Sequence, residues 1–321
     1  MAGHSVLYFF MVYLKKFLNL KIITLVFIFS LLPTGFMAIG DEARSFHFTV
    51  TSDMRYNDKL FRKVCRAIKE KAGGPGAFHI SSGDIEPAAE NHRIINEEFG
   101  DDTTWYVVVG NHELDNAEGS DMKWIRNEFH SLPYIVNKGP VNCEETTYSF
   151  DYQNAHFVVL NEYYNGASDT GTDGDIVPEL LEWLKNDLDK NAKPFVFVFG
   201  HEPAFCMPDE YWKSARHHKD SLDKYPGNRD AFWSLLEDKS VIAYICGHTH
   251  RYSHSRHNDG RVWQIVPVTC PPPENNHKYD AWLDVTIYDG DVKFEVYRDT
   301  DEDGEYALND SWTVSSPKEG K

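Results

Sequence analysis

Five short polar clusters in this chain carry residue types that bind metal ions, and each follows a run of β-forming residues. They are Asp53 in TSDMR, Gly83-Asp84, Gly110-Asn111-His112-Glu113, Gly200-His201-Glu202 and Gly247-His248-Thr249-His250. Carboxylate and amide oxygens together with imidazole nitrogens suit zinc, manganese or iron, and the set lacks the thiolates of a structural zinc site. His248 and His250 stand two apart, so both rings reach one site if residue 249 points away. An aspartate such as Asp84 can bridge two metal ions ~3.5–4 Å apart, the spacing that activates water and stabilises both oxygens of an in-line displacement. Any one of these residues alone reads as a buried, hydrogen-bonded polar side chain. Five such clusters, in order after five strands, read as a site.

The elements that must position them follow from periodicity. Alternation over 46–55 predicts a strand ending near Asp53, and Leu60, Val64 and Ile68, four apart, predict a helix over 59–71 that stops at Gly73-Gly74. A second strand over 77–84, a helix over 88–98 and a buried strand over 105–109 complete β-α-β-α-β with a polar residue at each strand's carboxyl end. That pattern predicts a sheet with parallel pairs and covering helices, and such carboxyl edges are where ligand sites are built. Beyond it come a helical stretch over 122–132, a hairpin over 146–161 turning at Gln153-Asn154, an exposed loop over 162–176 and a helix over 178–190 with Pro178 in its first turn. Buried strands over 194–203 and 241–250 carry the two histidine clusters. Between them lie an irregular stretch, 204–227, and a helix over 229–238. Strands are expected over 261–269, 281–290 and 291–299, the last two joined as a hairpin through Asp289-Gly290. No repeat or linker interrupts residues 41–321, which read as one domain.

The order D-x-x, GD, GNHE, GHE, GHTH, spanning about residues 46–270, resembles the calcineurin-like metallophosphoesterases, a family that includes purple acid phosphatases and cyclic-nucleotide phosphodiesterases. The resemblance implies an α/β fold, a four-layer αββα sandwich with a two-metal site holding manganese, zinc or iron. It implies that Asp84 bridges both metals, that Asn111, His201 and His248 complete one shell, and that Asp53 and His250 hold the other ion. His112 would face the leaving-group oxygen without binding metal, and a metal-activated hydroxide would attack phosphorus. Rivals are a phosphodiesterase of the same fold and a non-catalytic protein that binds a phosphorylated ligand through its metals.

One departure bears on that choice. The family's first motif is usually D-x-H, whereas here Asp53-Met54-Arg55 places an arginine, which stays protonated and cannot ligate a metal. The tyrosine of purple acid phosphatases is absent as well, since Pro87 stands there. Glu86, Ser52 or water is left to fill the gap, or that metal binds weakly. Arg55 reads either as a bidentate phosphate clamp, which favours a phosphomonoester dianion, or as a salt-bridging arginine. Tyr163, Tyr164, Trp212, His217 and His218 lie in loops next to the motifs and are expected at the substrate entrance, if they have a role at all. Asp299, Asp301, Asp303 and Gly304 match the start of a calcium loop, with Asp310 where a bidentate glutamate usually sits; the same run reads equally as an acidic turn between strands. Asn309-Asp310-Ser311 is a glycosylation sequon.

Residues 1–40 hold Lys15, Lys16 and Lys21, no acidic residue, and an apolar run up to Ala38, which reads as a signal peptide cut after Gly40; Met11 is an alternative start. Export to the periplasm or beyond the cell follows, with an uncleaved membrane anchor as the alternative. The remaining 281 residues carry 29 basic and 50 acidic side chains, a net charge of −21. Such a surface repels nucleic-acid backbones and anionic membranes and excludes both as partners. A small phosphorylated substrate would need a local positive centre, which bound metal ions supply. The five cysteines show no close pairing and define neither a disulfide scaffold nor a zinc ribbon, although one or two bridges among them are open; Cys246, in an apolar strand, reads as an inert buried thiol. Oligomeric state is not legible.

Overall fold

The first strand, β1 (Phe46–Thr51), leads into α1 (Asp58–Ala72), then β2 (His79–Ser81), α2 (Ala88–Phe99) and β3 (Trp105–Val107). A one-turn helix, α3 (Asn111–Asp115), and α4 (Ser120–Phe129) lead to β4 (Ile135–Lys138) and the hairpin β5 (Tyr148–Tyr152) and β6 (Ala155–Val159). Next come α5 (Pro178–Lys190), β7 (Phe195–Phe199), α6 (Pro226–Asp238) and β8 (Ala243–Ile245), followed by β9 (Ser253–Arg256), β10 (Trp263–Val266), β11 (Ala281–Ile287), β12 (Asp291–Arg298) and β13 (Ala307–Ser315). These positions come from a computed structural model, which describes residues 45–115, 119–211, 213–269, 280–301 and 303–315. The leader, its cleavage point after Gly40, Trp212 and Cys270 lie outside the described residues. No helix among the described residues is long and apolar enough to cross a membrane.

Two sheets face each other. The first runs β13-β12-β11-β1-β2-β3, and the second runs β4-β5-β6-β7-β8-β10-β9. Phenylalanines fill the space between them: Phe150 of β5, Phe157 of β6 and Phe197 of β7 are register partners and stack with centroids 4.8 and 5.4 Å apart. Each such buried ring contributes about 1.5–3 kcal/mol relative to an exposed one. Outside the first sheet, Phe61, Val64 and Ile68 of α1 and Ile94 and Ile95 of α2 cover Trp105 and Trp282. Outside the second, Leu180 and Leu184 of α5 and Phe232 and Leu236 of α6 cover Val158, Val196 and Tyr244. The result is the expected α/β architecture in four layers, αββα.

Topology brings the motifs together. Strands β1, β2 and β3 are parallel neighbours, so the residues just past their carboxyl ends (Asp53, Asp84 and Asn111) sit side by side. In the second sheet β7 and β8 are likewise parallel, which places His201 and His248 together at the same edge. α1 runs one residue beyond its expected span at each end, α5 matches its span, and α6 begins three residues earlier than expected, at Pro226. Three strands escaped the sequence reading: β4, β9 and β13. Cys65, Cys143, Cys206 and Cys246 are free thiols, and burial holds Cys246 well above the usual thiol range, as befits an inert side chain.

Candidate metal centre

Backbone conformation builds the centre before any side chain does. Asp53, Asp84, His248 and His250 all adopt left-handed backbone, with φ between 51° and 68°, an unfavourable state for residues with a Cβ that clusters at functional sites. His248 and His250 therefore reach a common site through two left-handed turns past the end of β8. Strand alternation, the expected route, is not used. Gly110 is required for steric reasons: a Cβ there would lie 2.4 Å from both the backbone nitrogen and Oδ1 of Asp84.

Two buried glutamates clamp the loops. Glu113 of the GNHE cluster accepts the N–H of Asp84 (3.0 Å) and Gly110 (2.6 Å) at Oε2 and that of Ile85 (2.7 Å) at Oε1. It thus ties the loop after β2 to the loop after β3. Glu162 does the same after β7, accepting the N–H of His201 (2.9 Å) and Glu202 (2.6 Å) and the hydroxyl of Tyr244. Glu162 stands alone in sequence, and no motif could have singled it out.

The donors converge in two groups. In one, the Nδ1–H of His201 goes to the Ser82 carbonyl (2.8 Å) and the Nε2–H of His248 to the Asp220 carbonyl (3.0 Å). Those bonds fix the tautomers, so the opposite nitrogens carry lone pairs. These two lone pairs point at Asn111 Oδ1, 3.2 Å from His201 Nε2 and 3.1 Å from His248 Nδ1, and His201 Nε2 is also 3.3 Å from Asp84 Oδ1. Acceptors aimed at acceptors repel each other unless a cation lies between them. In the other group, Asp53, Asp84 and His250 bring one donor atom each into a set lying within 4.8 Å of one another, with His250 Nε2 3.5 Å from Asp53 Oδ1. Asp53 Oδ1 accepts the His248 N–H (3.0 Å), while its Oδ2 is buried with no hydrogen-bond partner among the described residues.

Electrostatics agrees. Burial pushes Asp53 up to about 7 and, reinforced by the charges of Glu113 and Asp53, holds Asp84 well above the carboxylate range. Burial lowers His201 to about 3 and His250 to about 2, and holds His248 well below the ordinary value, leaving three neutral imidazoles. The imidazoles are already in the neutral form that binds metal, and a cation would offset the burial that holds the two carboxyl values up. The residues fit the group.

The remaining expected residues divide. His112 opens α3 at the rim, its Nε2 3.8 Å from Asp84 Oδ2 and its Nδ1 3.8 Å from Glu86 Oε1, outside both donor groups. Arg55 Nε donates to Glu86 Oε1 (2.8 Å), and Glu86 is not part of the Asp53–Asp84–His250 set, while Ser52 donates its hydroxyl to the Pro267 carbonyl (2.9 Å). Of the entrance residues that are described, only His217 borders the centre, its ring 4.2 Å from that of His248. His218 is exposed and pairs with Asp223 (2.6 Å). Tyr163 and Tyr164 are buried: they point their hydroxyls at Glu202 and the Gly166 carbonyl and line no entrance. Arg216, half-buried beside His217, acts with Arg55 to oppose the rise of Asp53 and to add to the lowering of His250, and a lone arginine in an irregular stretch gave no sequence signal.

The pattern of the calcineurin-like phosphoesterases matches residues 46–252. The chain belongs to that family, whose members are hydrolases acting on phosphoric ester bonds. It is 24% identical to mouse acid phosphatase type 7 over 179 residues, 48% of this chain and 39% of the mouse protein, so the chain matches less than half of that relative's length. Its fold is similar to that of a dimetal phosphatase from Danio rerio (TM-score 0.55, 15% identity, 84% of this chain and 99% of the other). It is similar also to PhoD (TM-score 0.56, 14% identity, 85% and 70%).

Proposed function

We propose that the chain is an exported phosphoesterase that hydrolyses phosphomonoesters at two metal ions, manganese, zinc or iron. The observation that carries the reading is the convergence of lone pairs from His201, His248 and Asp84 around Asn111, beside a second donor set of Asp53, Asp84 and His250. Asp84 lies near both sets and would serve both ions. When bound, the ions supply positive charge to the phosphate and acidify a water molecule. His112 stands at the rim, where its imidazole can hold a proton at Nε2 and pass it to a leaving-group oxygen. Arg55, oriented by Glu86, and Arg216, beside Asp53, put two guanidinium groups around the centre of a chain that is otherwise strongly acidic. Two fixed cations favour a dianionic monoester over a diester. Export rests on the lysines and apolar run of residues 1–40.

Metal content per chain, measured with hydrolysis of p-nitrophenyl phosphate and of bis-p-nitrophenyl phosphate, tests the reading. Two ions per chain and preferential turnover of the monoester are expected. His112→Asn should lower turnover by about 10²–10⁴-fold while leaving inhibition by inorganic phosphate within about threefold. An absence of turnover with manganese, zinc or iron would replace the enzyme by a binder of phosphorylated ligands.

A further inference from the structure

The turn from β12 to β13 carries the run Asp299-x-Asp301-x-Asp303-Gly304, which the centre above does not use. Asp299, Asp301 and Asp303 each bring a carboxylate oxygen into a set lying within 4.8 Å of one another. The Gly304 N–H donates to Asp299 Oδ2 (3.0 Å), and the Glu305 N–H donates to Asp303 Oδ1 (2.8 Å). An acidic turn of this kind is common without an ion, and the turn alone decides nothing.

Asp280 supplies the independent observation. Ala281 pairs with Arg298 in the β11–β12 ladder, so Asp280 lies directly across from Asp299, and the Asp299 N–H donates to the Asp280 carbonyl (3.2 Å). The next pair on that face, Trp282 and Tyr297, stacks at 4.4 Å, which shows that Asp280 and Asp299 share the same side of the sheet. Asp280 is 4% exposed and its Oδ1 has no hydrogen-bond partner among the described residues. Two carboxylates facing each other across a ladder repel, and a buried one without a partner carries its full desolvation cost. Of the nearby cations, Arg298 gives a guanidinium nitrogen to Asp209 (2.8 Å), and Lys63, exposed on α1, approaches Gly304. A metal ion held by the turn would offset the charge of Asp280, which lies beside Asp299 and outside the set of three.

We propose that this turn is a calcium site, with Asp299, Asp301 and Asp303 as ligands from the loop and the buried Asp280 carboxylate on the neighbouring strand as the charge that a bound ion offsets. Oxygen-only donors without histidine or cysteine suit calcium and separate this site from the histidine-rich centre. It is not a complete helix-loop-helix calcium loop. Asp310, in the position of the usual glutamate, instead accepts the Tyr252 hydroxyl (2.7 Å) and the Asn309 amide (2.9 Å). Calcium here would anchor β13 to the sheet edge.

Isothermal calorimetry of the full chain, presaturated with manganese to occupy the other centre, should show one calcium ion bound at a dissociation constant on the order of 10⁻⁴ M, the range of open extracellular loops. The double variant D301N/D303N, altered only at exposed positions, should bind at least about tenfold more weakly while hydrolysing p-nitrophenyl phosphate as the wild type does. Asp280→Asn should weaken calcium binding and raise the melting temperature in calcium-free buffer, because the cross-strand repulsion is relieved. No calcium heat, heat that survives D301N/D303N unchanged, or calcium affinity indifferent to Asp280→Asn would each overturn the proposal.

Discussion

Replacing Glu113 with glutamine tests whether the buried clamp, as well as the donors themselves, makes the centre. The carboxylate accepts three backbone N–H groups, two at Oε2 and one at Oε1, and is fully buried. Glutamine has one carbonyl oxygen. If it takes the Oε2 position, the N–H groups of Asp84 and Gly110 keep their acceptor, while that of Ile85 faces an NH₂ group. One lost bond to a charged acceptor and one unpaired buried donor cost about 3 kcal/mol together. Removing the Glu113 carboxyl also relieves Asp84, which burial and the Glu113 charge together hold up, and this offsets part of that cost. The net expectation is a loss of about 2 kcal/mol in urea unfolding of the metal-free protein, with the denaturant slope unchanged. Because Asp84 and Asn111 sit on the two clamped loops, manganese affinity should fall about 10–100-fold. A variant that unfolds within about 0.5 kcal/mol of wild type and binds manganese equally well would refute the clamp.

Two further outcomes follow from the same geometry. Arg55→His restores an imidazole two residues after Asp53 and removes a hydrogen-bonded partner of the buried Glu86. Equilibrium dialysis should show the weaker metal equivalent binding about tenfold tighter, at a cost in stability of about 1–3 kcal/mol, and unchanged metal affinity would place Arg55 outside the centre. His156 bonds Asp187 (2.8 Å) and Asp151 (2.7 Å). Burial lowers its pKa, but the two hydrogen bonds outweigh burial and raise it above 6.5, so its stabilisation is complete below that value and is lost as pH rises through the folded pKa. Asp187 is lowered instead, because hydrogen bonding from His156 outweighs its burial, and its contribution fails only as pH falls below about 3.8. His156→Gln should therefore cost more stability at about pH 5.5 than at about pH 9, measured by urea unfolding at both, and an equal cost would show that the pair is not ionic.

What could be read from sequence was what short-range pattern encodes. Leu180, Leu184 and Leu188 at helical spacing defined α5, and buried strands ending in glycine and a donor defined five of the six expected ligands' positions. Strands β4, β9 and β13 were missed because they are edge or near-edge strands of mixed polarity, such as ALNDSWTVS, whose burial alternates too weakly to stand out. Glu162 and Arg216 were missed because each reaches its partners through the fold, from positions with no periodic neighbours. His250 was expected at the right place for the wrong reason, since left-handed turns aim it and strand alternation does not.

The departure at Arg55 acquires a physical meaning once both donor groups are seen together. Around Asn111 the ring nitrogens of His201 and His248 aim lone pairs at the amide oxygen, and these repel one another until a cation arrives, so a metal alone relieves that half. Around Asp53 the donors are fewer, and the position that would add an imidazole holds a guanidinium tied to Glu86, with Arg216 close by. A cation entering that half meets two fixed positive charges, and their repulsion is not screened by bulk water at a buried site. A phosphate dianion lying between the ion and the guanidinium groups turns both repulsions into attractions. On the proposed reading, the chain has exchanged one metal ligand for substrate contacts, and the second ion binds best when phosphate binds with it.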